Sequence, residues 1–222
     1  GMGFKFSAWV IDVSGVAAQF VMVLDVFNLL ELKQVTILFG LLFTAIACII
    51  MGSGVPTTPT YIILAAIVAP ALAGLGVPQL ATHFFVFYYG VLADVTPPVA
   101  LAAFAAAGIA RSEPMGTGFT AFRLSMGKAL VPFAFVYSPA LLFIDFTWSS
   151  FLLASTCAIV AVMGLGAAYT GFVARPIRGP SFWLLNVLSI SLVFANPVAA
   201  SVAIPGVLLI LLWHNKPLPS TT

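Results

Sequence analysis

Long hydrophobic runs, rather than alternating polar and apolar positions, make up most of this chain. A helix that crosses a bilayer needs about 20 mostly apolar residues, so the longer runs predict membrane-spanning helices. Three runs reach that length, 8–30, 119–146 and 150–172, and two shorter runs, 181–195 and 198–213, close the chain. The first is the weakest because Asp12 and Asp25 interrupt it. The last two flank Pro197, which forbids continuous helical hydrogen bonding, so they predict either two short crossings or one tight helical pair.

The middle of the chain, residues 36–110, has a different pattern. Four apolar runs there are shorter than a comfortable span: 36–51, 60–76, 80–93 and 99–110. Polar, helix-breaking stretches, which we call the first and second breaks, interrupt them at 52–59 and 94–98. At membrane depth, broken backbone is tolerated only where it packs in protein or lines a cavity, and paired interrupted helices point to a transporter site. The alternative is that both breaks are ordinary turns outside the membrane.

Composition supports a membrane protein of the all-α class. Hydrophobic residues make up 62% of the chain and charged residues only 6%, whereas a soluble domain carries about 25% charged residues. The net charge of +2 is too small to indicate nucleic acid binding. Because the sequence has no GxSxG, HExxH or Walker motif, we expect neither an enzyme nor an ATP-binding protein.

The basic residues predict an orientation. If 8–30 and 35–110 each make one net crossing, seven of the eight Lys and Arg residues fall on one face and only Lys33 on the other. Such a bias marks the cytoplasmic side. It favours one net crossing for 35–110, which requires a re-entrant hairpin and a discontinuous through-helix.

Two further assignments follow from this orientation. The segment 111–122, which contains Glu113 and Pro114, is expected to be a cytoplasmic connector. Asp145 and Trp148 are expected at the outer interface, with Trp148 as an aromatic anchor.

The first break has the composition of an ion and carboxylate site. Its candidate residues are Gly52, Ser53, Gly54, Pro56, Thr57 and Thr58. The glycines let the backbone leave the helix and expose carbonyl oxygens, and the serine and threonines add hydroxyl oxygens. Uncharged oxygens at half-helix ends suit a monovalent cation, and the N-terminus of the following helix favours an anionic group.

The second break contributes Asp94, Thr96, Pro97 and Pro98. Thr96 supplies an oxygen, and the two prolines force an extended turn before a new helix. An acidic residue near membrane depth is costly, so Asp94 is a candidate cation ligand or proton-sensitive group. The alternative is that Asp94 accepts backbone N–H groups as a helix cap.

Several motifs in one order resemble the large membrane subunit of tripartite ATP-independent periplasmic (TRAP) transporters. They are GSGVPTTPTYI at 52–62, VAPAL at 68–72, GVP at 76–78, HFFVFYY at 83–89, VTPPVALAA at 95–103, TGFTAFR at 117–123 and VPF at 131–133. The resemblance covers about residues 40–145 and is closest to the fused-permease branch that works with TAXI-type solute-binding proteins.

This resemblance implies an elevator-type permease in the bacterial inner membrane that couples sodium entry to the uptake of an organic anion such as a carboxylate. The first break would be the tip of a hairpin and the second the break in a through-helix. The sodium ligands it implies are Gly52, Thr57, Thr58 and Thr96. The implied partners are a periplasmic TAXI-type binding protein and the other half of the permease, since only the second half of the family's inverted repeat is recognisable.

The resemblance also divides the chain by role. Residues 1–35 would be a scaffold-like helix, and residues 36–110 would be the transport segment. Residues 111–146 would hold the connector and a transmembrane helix, and 147–222 would add further helices and a short tail. Asp94 departs from the small neutral residue expected at its position. Two alternatives to a sodium-coupled permease are the membrane component of an ATP-driven importer and a structural subunit without a transport pathway.

Overall fold

A computed structural model describes residues 2–24 and 31–215 of the chain. Apart from an isolated bridge between Phe172 and Pro176, the regular elements in these ranges are all helical. The α-helices are α1 (Met2–Leu24), α2 (Leu32–Gly52), α3 (Thr57–Gly74), α4 (Gln79–Leu92), α5 (Leu101–Ala110), α6 (Pro114–Ser125), α7 (Val131–Tyr137), α8 (Trp148–Thr170), α9 (Pro180–Ser191) and α10 (Pro197–Asn215). Asp25 and the predicted tail lie outside the described residues.

Six segments of the described chain are long and apolar enough to cross a membrane. They are Lys5–Val23, Leu32–Gly52, Thr57–Gly74, Pro114–Tyr137, Trp148–Thr170 and Pro197–Asn215. Two shorter apolar helical segments accompany them, Leu101–Ala110 and Pro180–Phe194. The prediction of an all-α, polytopic membrane protein is therefore confirmed.

Helices α2 and α3 are longer than the half-length runs that the sequence predicted. Helix α2 extends N-terminally through the polar Lys33 and Gln34, and α3 begins at Thr57 rather than after Pro59. Pro59 is tolerated because the first N–H groups of a helix have no intrahelical partner to lose. Both helices have the length of a full crossing, and the re-entrant hairpin stays a prediction.

The region after α5 also differs from its prediction. Helix α6 begins at Pro114, and the Glu113 carboxylate accepts hydrogen bonds from the backbone N–H groups of Met115 and Gly116, which limits the non-helical connector to 111–113. The apolar run 119–146 is not one helix, because α7 ends before Ser138. Pro139 has no backbone N–H and disfavours helical geometry at the residue before it.

The chain divides into two compact units, Gly1–Gly118 and Phe119–Thr222. In the first unit, α1 packs against α2 and α3, while α4 packs against α2 and α3. The buried side chains of Leu41, Leu64, Val68, Leu72 and Phe85 form its core. This bundle supports both breaks, because α2 and α3 flank the first and α4 leads into the second.

In the second unit, α8, α9 and α10 pack against one another. Their shared core includes Val160, Leu185, Leu192 and Val207. Lipid provides no hydrophobic drive for helix association, so close packing through small residues matters more here than in a soluble bundle.

Candidate functional site

The first break is a short extended connection between α2 and α3. Ser53 has extended dihedral angles (φ −63°, ψ 119°), and its hydroxyl donates a hydrogen bond to the Ile49 carbonyl at 2.7 Å. Gly54 has a φ of 82°, a left-handed conformation that glycine adopts without steric cost. The glycine and the serine together end α2 and allow α3 to start three residues later.

The second break follows α4 through a 3-10 turn at Ala93–Val95. The Thr96 hydroxyl is buried and donates a hydrogen bond to the Leu92 carbonyl at 2.7 Å. The Pro97–Pro98 peptide is cis, and Ala100 has a φ of 36° just before α5. A left-handed alanine costs on the order of 1–3 kcal/mol, and such strain is concentrated at functional sites.

The structure brings the first break against Ala93 and Val99, the two residues that flank the second break. A Cβ atom on Gly52 would lie 2.9 Å from the Ala93 Cβ and 3.4 Å from the Gly90 carbonyl oxygen. A Cβ on Gly54 would lie 3.3 Å from a methyl carbon of Val99. The end of α2 therefore approaches the second break at a distance that only glycine permits at position 52.

Several backbone oxygens at this contact are available as ligands. At the two breaks, the carbonyls of Ser53, Gly54, Pro97, Pro98 and Val99 accept no backbone hydrogen bond from the described residues. The hydroxyls of Ser53 and Thr96 donate to carbonyls but keep their oxygen lone pairs. Neutral oxygens of this kind suit a hard monovalent cation.

The predicted site residues differ in depth. Gly52 and Thr96 are buried, and Ser53, Thr57, Asp94 and Pro97 are partly buried. Gly54, Pro56, Thr58 and Pro98 are exposed. The predicted site thus includes both buried and exposed residues, and we call the four exposed ones its rim.

Asp94 is the acidic residue of the second break. Among the described residues, its carboxylate accepts no hydrogen bond and pairs with no basic side chain. The helix cap that the sequence allowed is therefore not formed in this structure. A role of Asp94 as a cation ligand stays a prediction.

Sequence reasoning missed Thr60, which assists the contact between the breaks. Thr60 is buried, and its hydroxyl donates to the Val55 carbonyl at 3.0 Å. Its methyl carbon would lie 3.1 Å from a Cβ on Gly52 and 3.3 Å from a Cβ on Gly90. Its sequence signal is a threonine one turn into α3, at the start of the apolar run 60–76.

A second missed feature lies on the same unit. The Tyr61 hydroxyl and the His83 Nδ1 are 3.0 Å apart, and the Phe87 ring meets the Tyr61 ring edge-on at 5.8 Å. With Leu80 and Phe84 they line a cavity of about 280 Å³. Tyr61 and His83 are 22 residues apart and lie in different helices, so no local sequence pattern indicates this pair.

The six candidate spans among the described residues define a polytopic membrane protein. A family model described as "Tripartite ATP-independent periplasmic transporter, DctM component" matches residues 2–149, about two thirds of the chain. The chain belongs to this DctM family and is a membrane permease component of a TRAP transporter. No curated protein and no solved structure matches it.

The family match confirms the resemblance at the level of the DctM component. It confirms a non-enzymatic, multi-pass permease of the bacterial inner membrane. The matched range starts earlier than the quoted motifs and includes α1, whereas most of α8 and all of α9 and α10 lie beyond it.

Proposed function

We propose that this chain couples sodium entry to the uptake of an organic anion, such as a carboxylate, and that both bind at the contact between the two breaks. The observation that supports the proposal is the approach of Gly52 to Ala93, which brings the end of α2, just before the unbonded carbonyls of Ser53 and Gly54, close to the residue that precedes the second break. In a bilayer, polar backbone groups without partners cost several kcal/mol each, so a bound ion would offset a real penalty.

The sodium ion is held, in this proposal, by oxygens of Gly52, Thr57, Thr58 and Thr96. Gly52 and Thr96 are buried, and the hydroxyls of Thr57 and Thr58 make no hydrogen bond within the described residues. No group of three or more His, Cys, Asp or Glu side chains converges among the described residues. The donor set is therefore mostly neutral, which suits a monovalent ion better than a divalent one.

The carboxylate of the solute binds at the N-terminus of α3. The first turn of this 18-residue helix begins at Thr57 and presents backbone N–H groups and two threonine hydroxyls. A helix N-terminus carries a partial positive charge and is a ready-made anion site. An anion there and a cation at the oxygens of the breaks would stabilise each other, which links the binding of solute and sodium.

The finer architecture also belongs to this proposal. The first break is the tip of a re-entrant hairpin, and the second interrupts a through-helix of a mobile transport segment, residues 36–110. Residues 1–35 form a scaffold-like helix. Residues 111–146 hold the connector and a transmembrane helix, and residues 147–222 contribute the additional C-terminal helices. The matched region acts as the second half of an inverted repeat, and the other half and a TAXI-type binding protein complete the transporter. The motifs from 52 to 133 support this assignment.

Thiol labelling in two salts tests the ion site. Pro56 and Pro98 are exposed and are not among the proposed sodium ligands, so each is replaced by cysteine after Cys48 and Cys157 are changed to alanine. We expect sodium, but not potassium, to slow labelling at both positions. The matched control is Ser149→Cys, an exposed position in the second unit, which should label equally in both salts. Equal rates at all three positions would contradict the proposal.

The partner assignment has a separate test. The complete permease is reconstituted in liposomes, and a TAXI-type binding protein or one of another TRAP class is added outside. We expect only the TAXI-type protein to stimulate sodium-dependent uptake. Stimulation by the other class alone would overturn this assignment without affecting the sodium site.

A further inference from the structure

The second unit contains a cavity of about 390 Å³ that the transport proposal does not use. It lies among the end of α7, the segment 138–145, the start of α8 and the turn before α10. Its lining includes Tyr137, Ser138, Asp145, Ser150, Phe194 and Pro197. All of these belong to the unit Phe119–Thr222, so the cavity is complete within it.

The lining combines a carboxylate, aromatic rings and hydroxyls. Asp145 accepts no hydrogen bond and pairs with no basic side chain within residues 2–24 and 31–215. The rings of Tyr137 and Phe194 pack with centroids 4.6 Å apart at 59°. A cation is attracted to the face of an aromatic ring and forms charge-assisted hydrogen bonds to a carboxylate. The lining therefore fits an ammonium group.

The cavity lies where three candidate membrane spans terminate. One span ends at Tyr137, another begins at Trp148, and a third begins at Pro197. Because a span covers the hydrocarbon layer, its ends lie at the depth of the lipid headgroups.

An exposed aromatic cluster marks the same depth. The cluster comprises the exposed Phe143 and Trp148 and the partly buried Phe146 and Phe151, with Phe146 and Trp148 rings 5.2 Å apart. Phe143 is 71% exposed and Trp148 is 70% exposed. Exposed tryptophan beside the end of a span is typical of the membrane interface, where aromatic rings contact headgroups.

We propose that this cavity binds the ammonium group of a phospholipid headgroup of the ethanolamine type. The Asp145 carboxylate accepts hydrogen bonds from the ammonium group, and the rings of Tyr137 and Phe194 provide its aromatic wall. The acyl chains extend along the candidate spans whose ends frame the cavity. The binding site is independent of the sodium and anion sites proposed for the first unit.

Quenching of Trp148 fluorescence tests this proposal. Trp9, Trp183 and Trp213 are changed to phenylalanine, and the permease is reconstituted with lipids brominated in their acyl chains. We expect brominated phosphatidylethanolamine to quench Trp148 at about fivefold lower mole fraction than brominated phosphatidylglycerol. Equal quenching by the two lipids would overturn the proposal.

Asp145→Asn removes the charge without disturbing the turn. Asp145 has a φ of 49°, and asparagine tolerates that left-handed conformation as well as aspartate does. We expect this variant to lose the preference while quenching by phosphatidylglycerol stays unchanged, which shows that the protein is folded. The matched control, Asp12→Asn on α1, should keep the preference. A preference retained in Asp145→Asn would contradict the assignment.

A soluble competitor distinguishes a lipid from a free amine. Glycerophosphoethanolamine carries the same headgroup without acyl chains, and we expect it to leave the quenching unchanged at concentrations matching the lipid. Complete displacement at those concentrations would show that the cavity takes a soluble amine, and it would overturn the assignment to a lipid.

Discussion

The two units of this permease differ in whether the polar groups at their helix ends have hydrogen-bond partners. In the second unit, the Thr147 hydroxyl accepts the Ser150 N–H at the start of α8, and the Arg123 guanidinium donates to the Tyr169 carbonyl at its end. In the first unit, the breaks leave carbonyls such as those of Gly54 and Pro98 without a backbone partner among the described residues.

This difference separates a structural role from a binding role. Capped helix ends are satisfied within the protein and need nothing further. Helix ends with free oxygens, held in contact by a glycine, are costly in a bilayer unless they bind something. We therefore propose that the breaks of the first unit bind ligands and that α8 of the second unit has a structural role.

The largest effect is expected from Gly52→Ala. The new Cβ would lie 2.9 Å from the Ala93 Cβ, so the breaks must separate. We expect uptake by the complete permease to fall more than tenfold, because overpacking of this kind costs about 1–3 kcal/mol and displaces the proposed ligands.

Gly15→Ala is the matched control for this substitution. Gly15 is also in a helix, and a Cβ there would meet nothing within 4 Å. It should transport normally. Normal uptake by Gly52→Ala would contradict the binding role proposed for the first unit, because the close contact between the breaks would then be dispensable.

Thr96→Val should raise the sodium concentration for half-maximal uptake about tenfold, since one hydroxyl ligand is lost and a lost hydrogen-bonding group costs about 1–3 kcal/mol. Thr156→Val is its control, because Thr156 donates to the Leu152 carbonyl at 2.8 Å just as Thr96 donates to that of Leu92. Uptake measured over a range of sodium concentrations distinguishes the variants. If both behave alike, Thr96 has only a structural role and the subunit need not bind sodium there.

Asp94→Asn is expected to have a smaller effect on the same measurement. Asp94 is two residues before Thr96 and is partly exposed, so its carboxylate is expected to attract the ion from a distance. We expect the half-maximal sodium concentration to rise about threefold, in line with about 0.2–1 kcal/mol for a solvent-exposed charge pair. An unchanged value would remove Asp94 from the ion site.

Arg123→Gln should affect stability rather than sodium dependence. The variant loses the hydrogen bond to the end of α8, and we expect a loss of about 1 kcal/mol in the free energy of unfolding. Arg178→Gln is the control, because Arg178 is exposed and makes no hydrogen bond among the described residues. Thermal unfolding in detergent compares the two. A changed sodium dependence in Arg123→Gln would show that the second unit takes part in ion binding.

Hydropathy alone predicted much of this fold. The runs 150–172, 181–195 and 198–213 correspond closely to α8, to Pro180–Phe194 and to α10, because apolar length is a direct requirement of a bilayer. Both breaks were also predicted, because glycine and proline act locally on the backbone.

Other features depend on contacts that no local pattern contains. The approach of Gly52 to Ala93 joins positions far apart in the sequence. The packing of the Thr60 methyl group beside Gly52 depends on that approach. The extra length of α2 and α3 arises because polar residues and a proline are tolerated in a first turn. The left-handed Ala100 has no signal in its residue type, since alanine rarely adopts that conformation.

Direct sodium binding to the purified permease tests the central claim, that the two breaks form one cation site. We predict saturable binding of radioactive sodium that excess potassium does not displace, with weaker binding in Thr96→Val and none in Gly52→Ala. Sodium binding that both substitutions leave unchanged, or the absence of saturable binding in the unsubstituted protein, would contradict the account.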